Sequence, residues 1–488
     1  MFYSDELNFK NYKNISKEQL LEYKHKEIPV LNESQIVKYL KDSEPLNIFI
    51  ALINLRKLLL LEMTQKKQEV VFNDVDILFN ILENYPEEFK YECLVCLTCI
   101  EFINLKYKLI VENKPTKIAI KIILYILDNY KDFKLELLEA DLDYINILVQ
   151  VQDIYKITRI EFFYLKLYNL IAIENFNEEN IIKKIFEILI KIIKIMEEIE
   201  IINNLELVSK VNNIVNKYES NQDLLAVSLE FLSELINIYN QINSNSILKD
   251  MMDKMIEINL LQKIINYLDI IDIKNKKNQI FNSLKIIGNF ALIEEEYFTD
   301  KLIELNILDR LKKLTQNEYP FEIRSETTWI ISNIASGSNE QINYLYDNNF
   351  SDLLFDYISK EKEGEVKTNC LWALYNFVNI NKKEYFIDLI ERGLLDILIS
   401  RLKIDNYDTL ALSLEALEKA LEKGNYVRFF SLNIIKIKIT ELNIQNELID
   451  LMNREIPQIC INKGMYILEK YFKVDELDLI DTDYEENE

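Results

Sequence analysis

Thr327-Thr328-Trp329-Ile330-Ile331-Ser332-Asn333 and Cys370-Leu371-Trp372-Ala373-Leu374-Tyr375-Asn376 hold the only 2 tryptophans of this 488-residue chain, 43 positions apart in matching contexts. Each tryptophan is followed four residues later by an asparagine, Asn333 and Asn376. On a helix such pairs share a face. Stepping about 100° per residue from Trp329 puts Asn333 and Glu326 within about 60° of it, and puts Ile330, Ile334, Thr327 and Ile331 on the far side. In the second stretch Trp372, Asn376 and Asn369 share one sector, with Ala373, Phe377, Cys370 and Leu374 opposite. Each helix thus has an apolar stripe of its own, and the tryptophan and amide face away from it.

Working outward, the chain carries only 6 Gly and 6 Pro, too few for the frequent turns of a sandwich or an α/β protein. Amphipathic helical segments dominate, as in 186–201 and 410–422. The expected fold class is all-α. Recurrence at 43 residues matches the period of armadillo and related arrays, two or three helices per unit. Such units bury their apolar faces only by stacking, and one helix per repeat lines a long concave surface. The expectation is a right-handed superhelical solenoid of about ten repeats, with the tryptophan–asparagine pairs as rungs of a ladder on the concave side.

The formal net charge is −24. A surface this acidic repels nucleic acid and anionic membranes and attracts basic partners. The amino end carries charge where a signal peptide needs an apolar run. No uncharged apolar stretch reaches the ~18 residues of a membrane span, and five cysteines without pairing logic suit a reducing compartment. These features predict an intracellular protein that neither binds nucleic acid directly nor inserts into a membrane.

Catalytic signatures are weak. Cys93, Cys96 and Cys99 form a C-x-x-C-x-x-C run, but the surrounding Tyr-Glu-Cys-Leu-Val-Cys-Leu-Thr-Cys-Ile-Glu reads as a helix, so these cysteines are expected to fill its interior as small hydrophobes. His25 is the only histidine, in a polar stretch with no nucleophile near it, and no G-x-G or Walker pattern occurs. No cofactor, metal or enzymatic activity is predicted. The chain reads as a binding protein.

With these residues in view, the sequence resembles importin alpha, the armadillo-repeat adaptor for nuclear localisation signals. Arg-Ser-Glu-Thr-Thr-Trp-Ile-Ile-Ser-Asn-Ile-Ala-Ser-Gly (324–337) is similar to that family's repeat helix bearing Trp and Asn before a glycine. Leu-Lys-Ile-Ile-Gly-Asn (284–289) resembles the preceding repeat, where the family has a basic residue in place of Trp, here Lys285. Leu-Arg-Lys-Leu-Leu-Leu-Leu-Glu (55–62) and Ile-Leu-Glu-Lys-Tyr-Phe (467–472) resemble the first and last repeats. The likeness implies an armadillo domain over 36–472, a vestigial importin-beta-binding segment over 1–35 and an acidic tail over 473–488. It also implies importin beta and an export receptor as partners, and residence in cytoplasm and nucleus.

All six glycines lie at or after Gly288, consistent with a well-kept carboxyl half and a drifted amino half. The family's major groove needs Trp and Asn in early repeats. The matching positions here read Val95 and Cys99, Leu165 and Asn169, Val227 and Phe231, so Asn169 and an aromatic Phe231 are what remains. Where the family has its importin-beta-binding arginines, shortly after Phe9-Lys10-Asn11, this chain has Leu20-Leu21-Glu22-Tyr23.

The resemblance therefore points to cargo recognition through the later repeats. Alternate side chains of an extended peptide repeat every ~7 Å, and neighbouring helices lie ~8–10 Å apart. Lysine or arginine side chains of a signal peptide would enter slots between Trp329 and Trp372. Asn289, Asn333 and Asn376 would bond the peptide backbone, Glu326 and Glu295 would pair with its cations, and Lys285 would hold an acidic neighbour. Asn369 stands where the family has glutamate. The competing expectation is an armadillo scaffold that binds another partner on its concave face without transport activity.

Overall fold

Five residues with left-handed backbone punctuate the carboxyl half: Asn259, Asn306, Asn349 and Asn443, with φ between 49° and 58°, and Gly393 at φ 101°. Each sits just before a helix whose first residue is apolar. The tight left-handed corner joins the first and second helices of a repeat, and asparagine and glycine tolerate that conformation best. Each corner lies inside one three-helix unit, directly after its first helix.

The computed structural model describes residues 29–64, 74–107 apart from 86, parts of 124–131, 134–149, 160–171, 178–195, 204–242, 245–269, 273–403 apart from 361 and 363, 407–426 and 432–472. Among these residues there are helices and no strand. His25, nearly all of the 1–35 segment and the 473–488 tail lie outside the described residues. The chain divides into two compact units, Met1–Ser244 and Asn245–Glu488.

The first unit contains α1 (Glu33–Leu40), α2 (Pro45–Thr64), α3 (Val75–Asn84), α4 (Glu87–Tyr107), α5 (Leu135–Leu148), α6 (Ile160–Ile171), α7 (Glu179–Ile195), α8 (Asn204–Lys217) and α9 (Gln222–Gln241). Helix α4 packs on α2 and α5, and α7 packs on α5, α6 and α9. The row α2, α4, α5, α7, α9 is therefore the stacked backbone of this unit. Cys93, Cys96 and Cys99 lie on α4, all three buried, and Cys96 donates a weak hydrogen bond to the Leu52 carbonyl of α2 at 3.7 Å. Burial pushes the pKa of all three thiols up, as expected of cysteines used for packing.

The second unit contains five repeats of three helices among its described residues: α10 (Asn245–Glu257), α11 (Leu260–Asn266) and α12 (Ile273–Leu292); α13 (Glu296–Glu304), α14 (Ile307–Leu314) and α15 (Phe321–Ala335); α16 (Asn339–Asp347), α17 (Phe350–Lys360) and α18 (Glu365–Phe377); α19 (Lys383–Glu391), α20 (Leu394–Leu402) and α21 (Tyr407–Tyr426); α22 (Leu432–Glu441), α23 (Ile444–Met452) and α24 (Gln458–Ile467). Local sequence explains the pieces. In α14, Ile307, Leu308, Leu311 and Leu314 are buried at helical spacing, with charges between them. Ser338 caps α16 in a capping box with Gln341, and Gln341 Nε2 continues to Asp300 Oδ1 of the previous repeat at 2.7 Å, so one cap also joins two repeats.

Third helices stack in order. Helix α15 lies between α12 and α18, and α21 packs on α18 and α24. This all-α stack of armadillo-type repeats sets the tryptophan-bearing helices side by side.

Candidate functional site

The rungs come from consecutive third helices: Lys285 and Asn289 on α12, Glu326, Trp329 and Asn333 on α15, Asn369, Trp372 and Asn376 on α18. The apolar stripes of these helices are fully buried, with Ile330, Ile331, Ile334, Ala373, Leu374 and Phe377 at 0% exposure. Trp372 keeps 44% of its surface exposed, and Trp329 is half-buried. The cause of that difference is one rung back. Gly288 lies under the Trp329 ring, where a Cβ would run into Cζ3 and stand 2.9 Å from Cε3. The missing side chain lets the indole lie down on α12.

Glu326 is half-buried beside this plate. Burial pushes its carboxyl up to about 7, Glu365 pushes the same way, and Lys285 pulls it back. Lys285 also lies 5.0 Å from the Phe281 ring on its own helix, and Glu365 accepts from Ser325 Oγ at 2.9 Å. A desolvated carboxylate held near neutrality gains from a further cation.

The amides divide their capacity between the repeats and the open surface. Asn369 Nδ2 donates to the Ser325 carbonyl at 3.0 Å, and Asn376 Nδ2 donates to the Ser332 carbonyl at 3.2 Å. Both staple α18 to α15. Asn289 Nδ2 donates to the Lys285 carbonyl at 2.8 Å within α12, and Asn289 is only 8% exposed. Asn333 differs: its Nδ2 is buried with no hydrogen-bond partner. An amide nitrogen has two N–H donors, so Asn376 retains one and Asn333 both.

Three residues expected from sequence are not part of this group. Glu295 is exposed just ahead of α13 and pairs with Lys249 at 2.8 Å, because α12 ends at Leu292 and the chain has turned before reaching it. Phe231 is fully buried on α9, its ring 5.3 Å from that of Phe186, so it is a core residue and offers no surface to a peptide. Asn169 is exposed but stands on α6, which packs on α7 outside the stacked row. In that row Val227 and Cys99 are buried as well, so neither position provides a plate or an amide.

Other side chains at the site were not anticipated. Tyr375 meets Trp372 edge-on, with centroids 6.1 Å apart and an interplanar angle of 85°. Its hydroxyl lies 3.4 Å from Glu415 Oε2 on α21, and Lys419 Nζ lies 4.5 Å from its ring centroid. The signal in sequence is positional: Glu415 and Lys419 stand 43 residues after Trp372 and Asn376, as the next rung.

No known family profile matches the chain. The probable importin subunit alpha-A of Dictyostelium discoideum is 28% identical over 127 residues, 26% of this chain. The match spans 22% of that protein's length. Among solved structures, an engineered protein matches 90% of this chain and 98% of its own with a TM-score of 0.66 at 14% identity. That likeness shows the fold alone: an all-helical repeat solenoid. Among the described residues no group of three or more His, Cys, Asp or Glu is arranged to hold a metal, and no helix is long and apolar enough to cross a membrane.

Proposed function

We propose that this chain is an adaptor of the importin-alpha kind, binding extended basic segments such as nuclear localisation signals along the row from Lys285 to Asn376. The observation that carries the reading is the pair of aromatic plates on stacked neighbours α15 and α18, with Glu326, a half-buried carboxyl, on the Trp329 helix. A lysine or arginine stem packs on indole, and its cation faces a carboxylate that lacks full compensation. Each cation–π contact contributes ~0.5–2 kcal/mol according to desolvation. The second N–H of half-buried Asn376 is the donor available to the peptide backbone, whereas Asn333 Nδ2 is buried. The role is binding and not catalysis. The partial likeness to an importin alpha supports cargo carriage between cytoplasm and nucleus, with importin beta and an export receptor as partners.

A scaffold role without transport is the second reading. It is favoured by the stapling of Asn369 and Asn376 to α15 and by the buried side chains at 99, 227 and 231.

Titrating the protein with a lysine-rich signal peptide while following tryptophan emission tests the first reading, since both tryptophans of the chain stand in the row. A saturable change lost with an alanine-substituted peptide is expected; a Trp329→Ala, Trp372→Ala variant that stays helical has no tryptophan left to emit, so its binding is read by calorimetric titration, which should show none. Undiminished binding by that folded variant would remove the site.

A further inference from the structure

The rung after Trp372 replaces the aromatic–amide pair by Glu415 and Lys419, one helical turn apart on α21. Lys419 is half-buried. Its stem runs back towards α18, and its ammonium lies 4.5 Å from the Tyr375 ring centroid. Tyr375 in turn meets Trp372 edge-on at 6.1 Å and points its hydroxyl at Glu415. An aromatic face, a second ring beside it and an exposed carboxylate are the elements that would receive a cationic side chain from outside. Here the chain's own lysine fills the place.

We infer that Lys419 is a resident cation that closes the ladder beyond Trp372, fixing how many basic side chains a ligand can seat. The inference rests on the basic-peptide reading above. A peptide lysine reaching past Trp372 meets a ring face already covered and must displace an equal contact, so it adds nothing to affinity. The groups facing this place are Tyr375 and Trp372 from α18 and Glu415, Glu418 and Lys419 from α21. Glu418 is engaged by Lys463 and by Lys470, the latter at 3.3 Å. Glu415 is thus the carboxylate left for a guest cation. Removing Lys419 uncovers the Tyr375 face and leaves Glu415 to pair with the newcomer.

The test compares two synthetic peptides, a short lysine-rich signal and the same peptide with lysine extensions at both ends, on the full chain, on Lys419→Ala and on Lys419→Met. Tryptophan emission reads the affinity. The full chain should bind the two peptides within about twofold. Lys419→Ala should favour the extended peptide by about 5- to 30-fold, the worth of one partly desolvated cation–π contact, with Lys419→Met between, since it keeps the stem over the ring but not the charge. A gain of equal size for both peptides would mean only that a repelling charge had been removed, and would overturn the inference while leaving the function intact. No gain for either peptide would do the same. Failure of every form to bind either peptide would overturn the function and this inference together. In the free protein the Lys419 side-chain methylene protons should show upfield ring-current shifts that disappear in Tyr375→Leu; normal shifts in the unsubstituted chain would refute the resident contact without any ligand.

Discussion

Glu326→Gln should stabilise the protein, and do so more at high pH than at low pH. The folded carboxyl titrates at about 7 against an ordinary 4.5, chiefly through burial. Its folded value is raised, so folding takes up a proton between those limits. Relative to the unfolded chain, the native state is unpenalised below pH 4.5 and loses stability as pH rises through 7. Linkage places the penalty at about 1 kcal/mol at pH 5 and about 3 kcal/mol at pH 8.5. Solvent reaching a half-buried carboxyl trims both figures, leaving a difference of about 1–2 kcal/mol between the two conditions. Glutamine has the same shape and never ionises, so it escapes the penalty at both.

Urea unfolding followed by tryptophan emission reports on the right segment, because both tryptophans stand on α15 and α18. Comparing wild type and variant at each pH cancels the titration of the many other acids. The expected result is a midpoint advantage for Glu326→Gln that grows from pH 5 to pH 8.5, and grows further in a Lys285→Met background that removes the compensating charge. An advantage independent of pH, or a wild type more stable than the variant at pH 8.5, would refute the argument that Glu326 is a desolvated, undercompensated carboxyl.

Three further outcomes follow from the geometry. Affinity for a lysine-rich peptide should rise about tenfold between pH 6 and pH 8 as Glu326 loses its proton, and a calorimetric titration of Glu326→Gln should show a flat profile. Gly288→Ala should destabilise the protein by about 1–3 kcal/mol and shift the emission of Trp329, because the added methyl enters the space of its ring; unchanged emission and stability would contradict the packing. Asn306→Ala, at φ 56°, should cost about 1–2 kcal/mol through left-handed strain whereas Asn306→Gly should be close to neutral, both read from thermal unfolding.

The site was partly legible because its signal is local. A helix repeats its faces every few residues, so Trp329 with Asn333, and Trp372 with Asn376, could be assigned to one face from spacing alone. The repeat corners were equally open to reading. Asn259, Asn306, Asn349, Gly393 and Asn443 each precede an apolar residue at intervals close to one repeat, and a search for that pattern marks the boundary between first and second helices. Phe231 misled because aromatic character does not distinguish a plate from a core residue. Burial is settled by what packs on the helix, and α9 has buried side chains nearly all round, from Leu224 and Val227 to Phe231 and Ile236.

Sequence by itself determined the all-helical class, the repeat period and the direction in which each tryptophan faces, because these depend on side chains a few residues apart on one backbone. Tertiary structure decided what those residues meet. Trp329 lies on Gly288, Asn376 spends a donor on Ser332, Glu326 is desolvated between Lys285 and Glu365, and Lys419 covers Tyr375. All of these are contacts across one repeat, between residues some 40 positions apart, for example 44 between Asn376 and Ser332. Such contacts exist only once the helices have stacked, and the stacking depth that fixes them is set by the packed interior as a whole.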